Sequence, residues 1–260
     1  MIKLKSKEIN NNLDKLITIV KKLRSPDGCD WDKEQTHQSL VPYLLEETYE
    51  VIESIEQKNF EALKEELGDL LLHVIFQIDI SEENKEFKLD DVIDGICQKL
   101  IRRHPHIFYD KNDSRYKKGD WELSKQKEKN RNSVLDGVPI ALPALIRASR
   151  IQERAAAVGF DWEKKEQVLL KVDEEIGELK DAIINNQGIE EELGDVLFTI
   201  VNLSRHLNYD SESSLKKSID KFSDRFKRIE KDLKTKNINM KNLSLGELDE
   251  IWNKNKLKNK

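Results

Sequence analysis

Three observations predict an all-α chain made of two related halves. Glycine and proline are scarce, at ten and five of 260 residues, while Leu, Ile, Glu and Lys, which lose little on entering a helix, dominate. Apolar residues recur at helical spacing along most of the chain. Four separate features also recur in one order at a displacement of about 120 to 130 residues. The expected architecture is two tandem helical domains with four-helix-bundle-like packing; hairpins with wide apolar stripes need a partner surface, which is either the other half or, on dimerisation, another subunit. Charged residues make up 37% of the sequence while the net charge is only −5. Helix faces carrying both signs explain that balance, and a nucleic-acid polymer is not an expected partner.

The elements follow in order. Leu13, Leu16, Ile17, Val20 and Leu23 predict a helix over 8–24, ended by the turn Ser25-Pro26-Asp27-Gly28. Residues 29–37 read as a short irregular segment. Ser39 is placed to cap a helix running to about Gln57, with Leu44, Thr48, Val51, Ile52 and Ile55 as its apolar stripe. Beyond Lys58-Asn59, Leu63, Leu67, Leu70, Leu71, Val74 and Ile78 predict an inward face on a helix over 61–80. A helix over 89–103 begins with Asp90 and Asp91 and ends with Lys99, Arg102 and Arg103, which suits its dipole at both ends. Residues 109–119 read as loose, and a short basic helix is expected to begin at Asp120-Trp121. Gly137, Pro139 and Pro143 then mark a boundary, giving a first domain over 1–131, a linker over 132–143 and a second domain over 144–260. Helices over 143–157, 164–185, 189–208, 211–232 and 244–256 complete the chain.

No apolar run approaches the ~18 residues of a membrane span, so no membrane contact is expected. Met1-Ile2-Lys3-Leu4-Lys5 lacks the apolar core of a secretory signal, which makes the cytoplasm the expected compartment. Cys29 and Cys97 have no C-x-x-C partner and read as plain thiols.

Glu46, Glu47 and Glu50 fall within an arc of about 100° on one helix, and Glu66 and Asp69 lie one turn apart on the next. Five carboxylates would therefore converge, and like charges so close oppose folding unless protons, basic side chains or metal ions neutralise them. An all-oxygen donor set suits magnesium, with manganese as a substitute. The arrangement returns as Glu174, Glu175 and Glu178, then Glu192 and Asp195. A Glu-Glu-x-x-Glu string alone is commonplace on a solvated face. Its duplication beside apolar stripes, with a Glu-Leu-Gly-Asp glycine that costs roughly 1 kcal/mol against alanine, points to a metal site and to a close helix crossing at the glycine.

The other recurring features are Gly28-Cys29-Asp30-Trp31-Asp32-Lys33 against Gly159-Phe160-Asp161-Trp162-Glu163-Lys164, Lys99 and Arg103 against Lys221 and Arg225, and Trp121-x-x-x-Lys125 against Trp252-x-x-x-Lys256. Lys221 and Arg225, at i and i+4, read either as ordinary cations near a helix end or as holders of phosphate oxygens. Lys171, one turn before Glu174 and Glu175, would add a phosphate contact. Trp162 and Trp252 read either as core aromatics or as base-stacking rings, with Lys256 reaching a phosphate in the second case. Asn202, seven residues after Asp195 on the same face, offers an amide to a base or sugar edge. Its first-half counterpart is Phe76, so the halves no longer do the same job. His73, the counterpart of Thr199, reads as packing or support for a ligand rather than as a ligand. The chain has no G-x-x-x-x-G-K-[ST] loop, no Glu-x-x-His pair and no Ser-His-Asp spacing, which leaves metal-assisted phosphoryl chemistry.

Gly28-Cys29-x-Trp31-Asp32-x-x-Gln35-Thr36-His37, the two acidic sets, Val158-Gly159-Phe160-Asp161-Trp162, Val201-Asn202-Leu203-x-Arg205-His206 and Lys221-Phe222-x-x-Arg225-Phe226 together resemble the MazG nucleoside triphosphate pyrophosphohydrolases of the all-α NTP pyrophosphatase superfamily. Asp30 departs from the pattern, which usually has proline after the cysteine. The resemblance implies a tandem MazG-type helical homodimer that hydrolyses nucleoside triphosphates to monophosphate and pyrophosphate with magnesium. It implies metal positions at Glu46, Glu47, Glu50, Glu66 and Asp69 and at Glu175, Glu178, Glu192 and Asp195, with Glu174 matching an additional acid. Nucleotide contacts would map to Lys171, the Lys221 to Arg225 segment and Trp252, and most activity to the second half; the reading of the residues adds Asp195, Asn202 and Lys256 as nucleotide contacts. Glu174 or Glu175 would orient the attacking water, and Lys221 and Arg225 would stabilise the leaving pyrophosphate. The competing expectations are a helical interaction module with degenerate acidic clusters, and a narrower pyrophosphatase for dUTP or dCTP.

Overall fold

The computed structural model describes residues 6–108 and 132–257, and among them every regular element is helical. Contacts divide the chain into two compact units, Met1–Tyr116 and Lys117–Lys260. The first contains α1 (Ser6–Arg24), α2 (Asp30–Glu34), α3 (Val41–Glu56), α4 (Phe60–Glu83), α5 (Leu89–Arg103) and α6 (Pro105–Phe108). The second contains α7 (Ala144–Ala156), α8 (Lys165–Asn185), α9 (Ile189–His206), α10 (Ser211–Thr235), a single 3₁₀ turn over Met240–Asn242, and α11 (Leu245–Leu257).

Each unit is built around an antiparallel helical hairpin, α3 with α4 and α8 with α9. In the first, Lys58 turns the chain at φ 55° and the Asn59 side chain caps α4 by accepting from Ala62 N–H at 3.2 Å. In the second, Asn186 at φ 51° and Gly188 at φ 72° make the same reversal. The core of the first unit is Val20, Leu40, Ile75, Phe76 and Ile80, with Leu13, Leu16, Ile17, Leu72 and Leu89 packed around it. Burial in the second unit falls on Val168 and Val172 of α8, Val201 of α9, and Ile229 and Leu233 of α10. The periodicity therefore marked the longer helices correctly, with ends displaced by at most three residues, but not the short α2 or α6.

Several local expectations change. Residues 30–34 of the supposed irregular segment form a helical turn. Ser39 does not cap α3: its hydroxyl accepts from Thr36 N–H at 2.9 Å and donates to Gln35 Oε1 at 2.7 Å, and α3 starts at Val41 with Leu40 at the cap position and Pro42 in its first turn. Gly28 admits no side chain, since a Cβ there would lie 2.0 Å from the Leu23 carbonyl oxygen. Gly68 and Gly194 do not sit at a close crossing, because a Cβ at either would meet nothing within 4 Å. Ile52, Ile55, Leu67, Leu71 and Val74, expected to face inward, are exposed. Their hairpin buries α4 against α1 mainly through its C-terminal half, which leaves the apolar positions nearer the turn uncovered in the single chain. The expected linker forms turns tied to α7, with Arg154 donating to the carbonyls of Val134 at 3.2 Å and Asp136 at 2.6 Å. The expected helix at Trp121 and Lys125 lies outside the described residues.

A buried ion cluster joins α1, α2 and α4. The Arg24 guanidinium approaches Asp79 at 3.3 Å and Glu83 at 2.6 Å, and donates to the Asp32 carbonyl at 2.6 Å. At the surface beside it, Lys21 pairs with Glu82 at 2.8 Å. Burial raises the Asp79 pKa, aided by the Glu83 charge and opposed by Arg24.

Candidate metal and nucleotide site

In the first unit, the hairpin brings one carboxylate oxygen each of Glu47, Glu66 and Asp69 within 4.8 Å of one another. Glu47 comes from α3, and the other two lie one turn apart on α4. Burial raises the Glu47 pKa, and the charges of Asp69, Glu50 and Glu66 push it the same way. Glu66 is raised by burial and then by Glu50, Glu65 and Asp69. Glu50 is thus an electrostatic neighbour of Glu47 and Glu66. Glu46 is exposed and stands outside the group.

The second unit repeats this with Glu175, Glu192 and Asp195, again within 4.8 Å. Glu175 is buried, whereas Asp195 is exposed. Lys171 bridges Glu174 and Glu175, its ammonium 2.8 Å from each, and those hydrogen bonds, Glu174's first, raise its pKa and keep it charged. Burial raises the Glu178 pKa, and the Glu175 and Glu192 charges add to that against the opposing Lys171. Glu178 therefore feels the cluster without being one of its three converging oxygens.

The position of Lys171, three residues before Glu174, is held in the first half by Tyr43. Tyr43 stacks on His73 with ring centres 6.4 Å apart and meets the edge of Trp31 at 5.8 Å. Burial lowers the His73 pKa against the opposing Asp69 charge, which agrees with packing rather than a charged role. A cation beside one acidic group and an aromatic stack beside the other extend the asymmetry of Asn202 and Phe76.

Among the remaining expected residues, Lys221 is exposed. Arg225 is buried, with its guanidinium 4.7 Å from the centre of the Trp252 ring. Phe222 lies 5.0 Å from the same ring and 6.0 Å from Phe226. The α10–α11 contact thus gathers Arg225 and Trp252 as a stacked pair, with one Arg225 nitrogen, Nε, buried and unpartnered. The Lys256 side chain lies outside the described residues. Trp162 is partly exposed beside Asp161. Asn202 is buried, and its amide oxygen accepts from Arg205 at 2.6 Å.

Sequence reasoning missed the bridge that Arg205 makes to Asp161, at 2.9 and 2.5 Å, with His206 joining the same carboxylate at 3.0 Å. No spacing rule links residues that far apart in the chain. Asp79 was more legible, as one acid inside the apolar run 74–80, a placement that requires a buried cation.

The family model for the MazG nucleotide pyrophosphohydrolase domain matches residues 35–108 and 163–231, one stretch in each half. The chain is 47% identical over 250 residues to the nucleoside triphosphate pyrophosphohydrolase/pyrophosphatase MazG of Thermotoga maritima, covering 96% of this chain and 98% of that one. It is 42% identical over 252 residues to the nucleoside triphosphate pyrophosphohydrolase of Escherichia coli K12, covering 93% and 96%. The Mycobacterium tuberculosis protein of that description is 40% identical over 147 residues, covering 55% of this chain and 45% of that one. The chain belongs to the MazG nucleotide pyrophosphohydrolase family, and it is a hydrolase of that class.

Proposed function

We propose that this chain is a magnesium-dependent nucleoside triphosphate pyrophosphohydrolase, converting an NTP or dNTP and water to the monophosphate and pyrophosphate, with its principal site in the second half. What carries the reading is the meeting of Glu175, Glu192 and Asp195 from two helices within a family-matched stretch, with a charged Lys171 beside them. The donor set fits the metal: clustered carboxylate oxygens without sulfur or imidazole suit a hard divalent cation, Mg²⁺ first and Mn²⁺ as substitute. Glu175, Glu192 and Asp195 would hold it, with Glu178 adjoining, and Glu47, Glu66 and Asp69 with Glu50 would do so in the first half. What the cation supplies when bound is charge neutralisation on the triphosphate and a more acidic water.

The chain's own groups do the rest. Glu174, outside the three converging oxygens yet tied to them through Lys171, accepts the proton of the attacking water. Lys171 and Lys221 hold phosphate oxygens. The α-phosphorus gains the water oxygen and its bond to the bridging oxygen breaks, so pyrophosphate leaves with charge that Lys221 and Arg225 stabilise. Incubation with a panel of NTPs, dNTPs and oxidised nucleotides is expected to give equimolar monophosphate and pyrophosphate, lost when EDTA removes the metal. Diphosphate and phosphate as products, or no turnover of any nucleotide, would overturn the reading. Turnover confined to dUTP or dCTP would favour the narrower pyrophosphatase.

The same reading takes the uncovered face of the α3–α4 hairpin as the contact with a second copy. Ile55, Leu67, Leu71 and Val74 are 56, 49, 43 and 43% exposed, an apolar stretch that water disfavours. Light scattering of the purified chain is expected to give twice the chain mass. Substituting lysine for Leu67 and Leu71 should reduce it to the single-chain value, and a wild-type chain already at that value would refute the contact. Among the described residues, no helix is long and apolar enough to cross a membrane.

A further inference from the structure

The amide of Asn202 is held in one orientation. Arginine carries donors and no acceptor, so the Asn202 atom that meets the Arg205 guanidinium at 2.6 Å is its carbonyl oxygen. The guanidinium is itself fixed by two hydrogen bonds to the Asp161 carboxylate, at 2.9 and 2.5 Å, in the paired geometry that makes arginine–carboxylate contacts directional. His206 meets the same carboxylate at 3.0 Å. Burial opposes charge on Asp161, but hydrogen bonds from Arg205 and His206 outweigh it and lower the pKa, so the clamp is charged at neutral pH. With its oxygen engaged, Asn202 has only its NH₂ to offer elsewhere, and among the described residues nothing engages that NH₂.

The first half cannot form this device. Phe76 stands at the Asn202 position and Asp79 at the Arg205 position, while Asp30, the counterpart of Asp161, pairs with its neighbour Lys33 at 2.8 Å. Seven residues of helix separate Asn202 from Asp195, about 10 Å at 1.5 Å per residue. On the same helix face, that separation is about the reach from the phosphates to the base of a nucleotide whose phosphates lie on the carboxylates.

We propose that Arg205, clamped by Asp161, is a positioning residue that turns the Asn202 amide so that only its NH₂ faces the second-half site, which therefore reads its nucleotide through a hydrogen-bond acceptor on the base. This rests on the pyrophosphohydrolase reading. The test is a cycle of Asn202→Ala, Arg205→Lys and the double variant, with Asn202→Asp and Asp161→Asn alongside. It measures kcat and KM for an NTP, and Kd for an α,β-nonhydrolysable analogue. Arg205→Lys and Asp161→Asn are expected to raise KM and Kd several-fold with kcat within twofold of wild type. In the Asn202→Ala background Arg205→Lys should add less than twofold. Asn202→Asp keeps an acceptor for Arg205 but has no NH₂, so it should bind as weakly as Asn202→Ala, which a merely structural role would not produce. Additive effects in the double variant, wild-type binding by Asn202→Asp, or a fall confined to kcat would overturn the proposal while wild-type turnover left the parent reading intact. A wild-type chain that neither binds nor hydrolyses NTPs would overturn both. Should Arg205→Lys fail to fold by circular dichroism, the Asp161→Asn and Asn202→Asp results decide the matter.

Discussion

Replacing Glu192 and Asp195 together by alanine is expected to lower kcat/KM for NTP hydrolysis about a thousandfold, the scale on which loss of a transition-state charge stabiliser is felt. The two side chains lie one turn apart on α9 and supply two of the three oxygens that converge with Glu175. Without them Glu175 keeps Lys171 as its ion-pair partner and Glu178 as a neighbour, but the three converging oxygens are gone. The effect is separable from misfolding because removing acids from a like-charged group relieves repulsion, so the metal-free melting temperature should hold or rise. What should disappear is the further rise on adding Mg²⁺ with a nonhydrolysable NTP. Glu66→Ala with Asp69→Ala tests the first half in the same way, and a smaller loss of turnover is expected there, where Tyr43 replaces the lysine. Undiminished hydrolysis by the Glu192 and Asp195 double variant would remove the second-half site from consideration. A helical interaction module would show no thermal response to metal and nucleotide in either protein.

The largest effect on stability is expected at Arg24, in the buried ion cluster of the first unit. Arg24→Ala leaves Asp79, buried to 8% side-chain exposure, without its cation, a change that costs about 3 to 5 kcal/mol when one partner of a buried pair is removed. In a unit of this size that corresponds to a fall in melting temperature of more than about 10 °C. Asp79→Asn should be far milder, since Arg24 keeps Glu83 and the Asp32 carbonyl. The pH dependence follows from the raised Asp79 pKa. A carboxyl group whose folded-state pKa exceeds its unfolded value contributes stability that is full below the unfolded value and lost as pH rises through the folded one. The wild type should therefore lose ground to Asp79→Asn as pH increases from the acid range to neutral. Equal melting temperatures for Arg24→Ala and wild type would show that the cluster is inconsequential.

Helices and acidic groups were legible in the sequence because both obey local rules. A 3.6-residue period placed Leu13 to Val20 and Leu63 to Ile78 on helices, and one-turn spacing put Glu66 beside Asp69 and Glu192 beside Asp195. Neither rule says which side of a helix another element will cover. Leu67 and Val74 therefore look like core residues in a pattern yet are exposed in the chain, and Gly68 looks like a crossing point yet borders open space. Ser39 illustrates competition at short range: a good capping residue was captured by Gln35 and Thr36 before the helix began. The Arg205 bridge was illegible because its acceptor is brought in by tertiary folding.

Asp79 and Arg205 occupy one register position, thirteen residues after Glu66 and Glu192. Each is neutralised from a different direction, the acid by α1 and the base by the loop before α8. The two copies consequently have reversed polarity at a shared place, so recombination between them is not silent. A hybrid that set α9 into the first unit in place of α4 would bring Arg205 against Arg24 and leave both guanidinium groups without a carboxylate. Twin segments that retain family likeness have in this way become non-interchangeable parts.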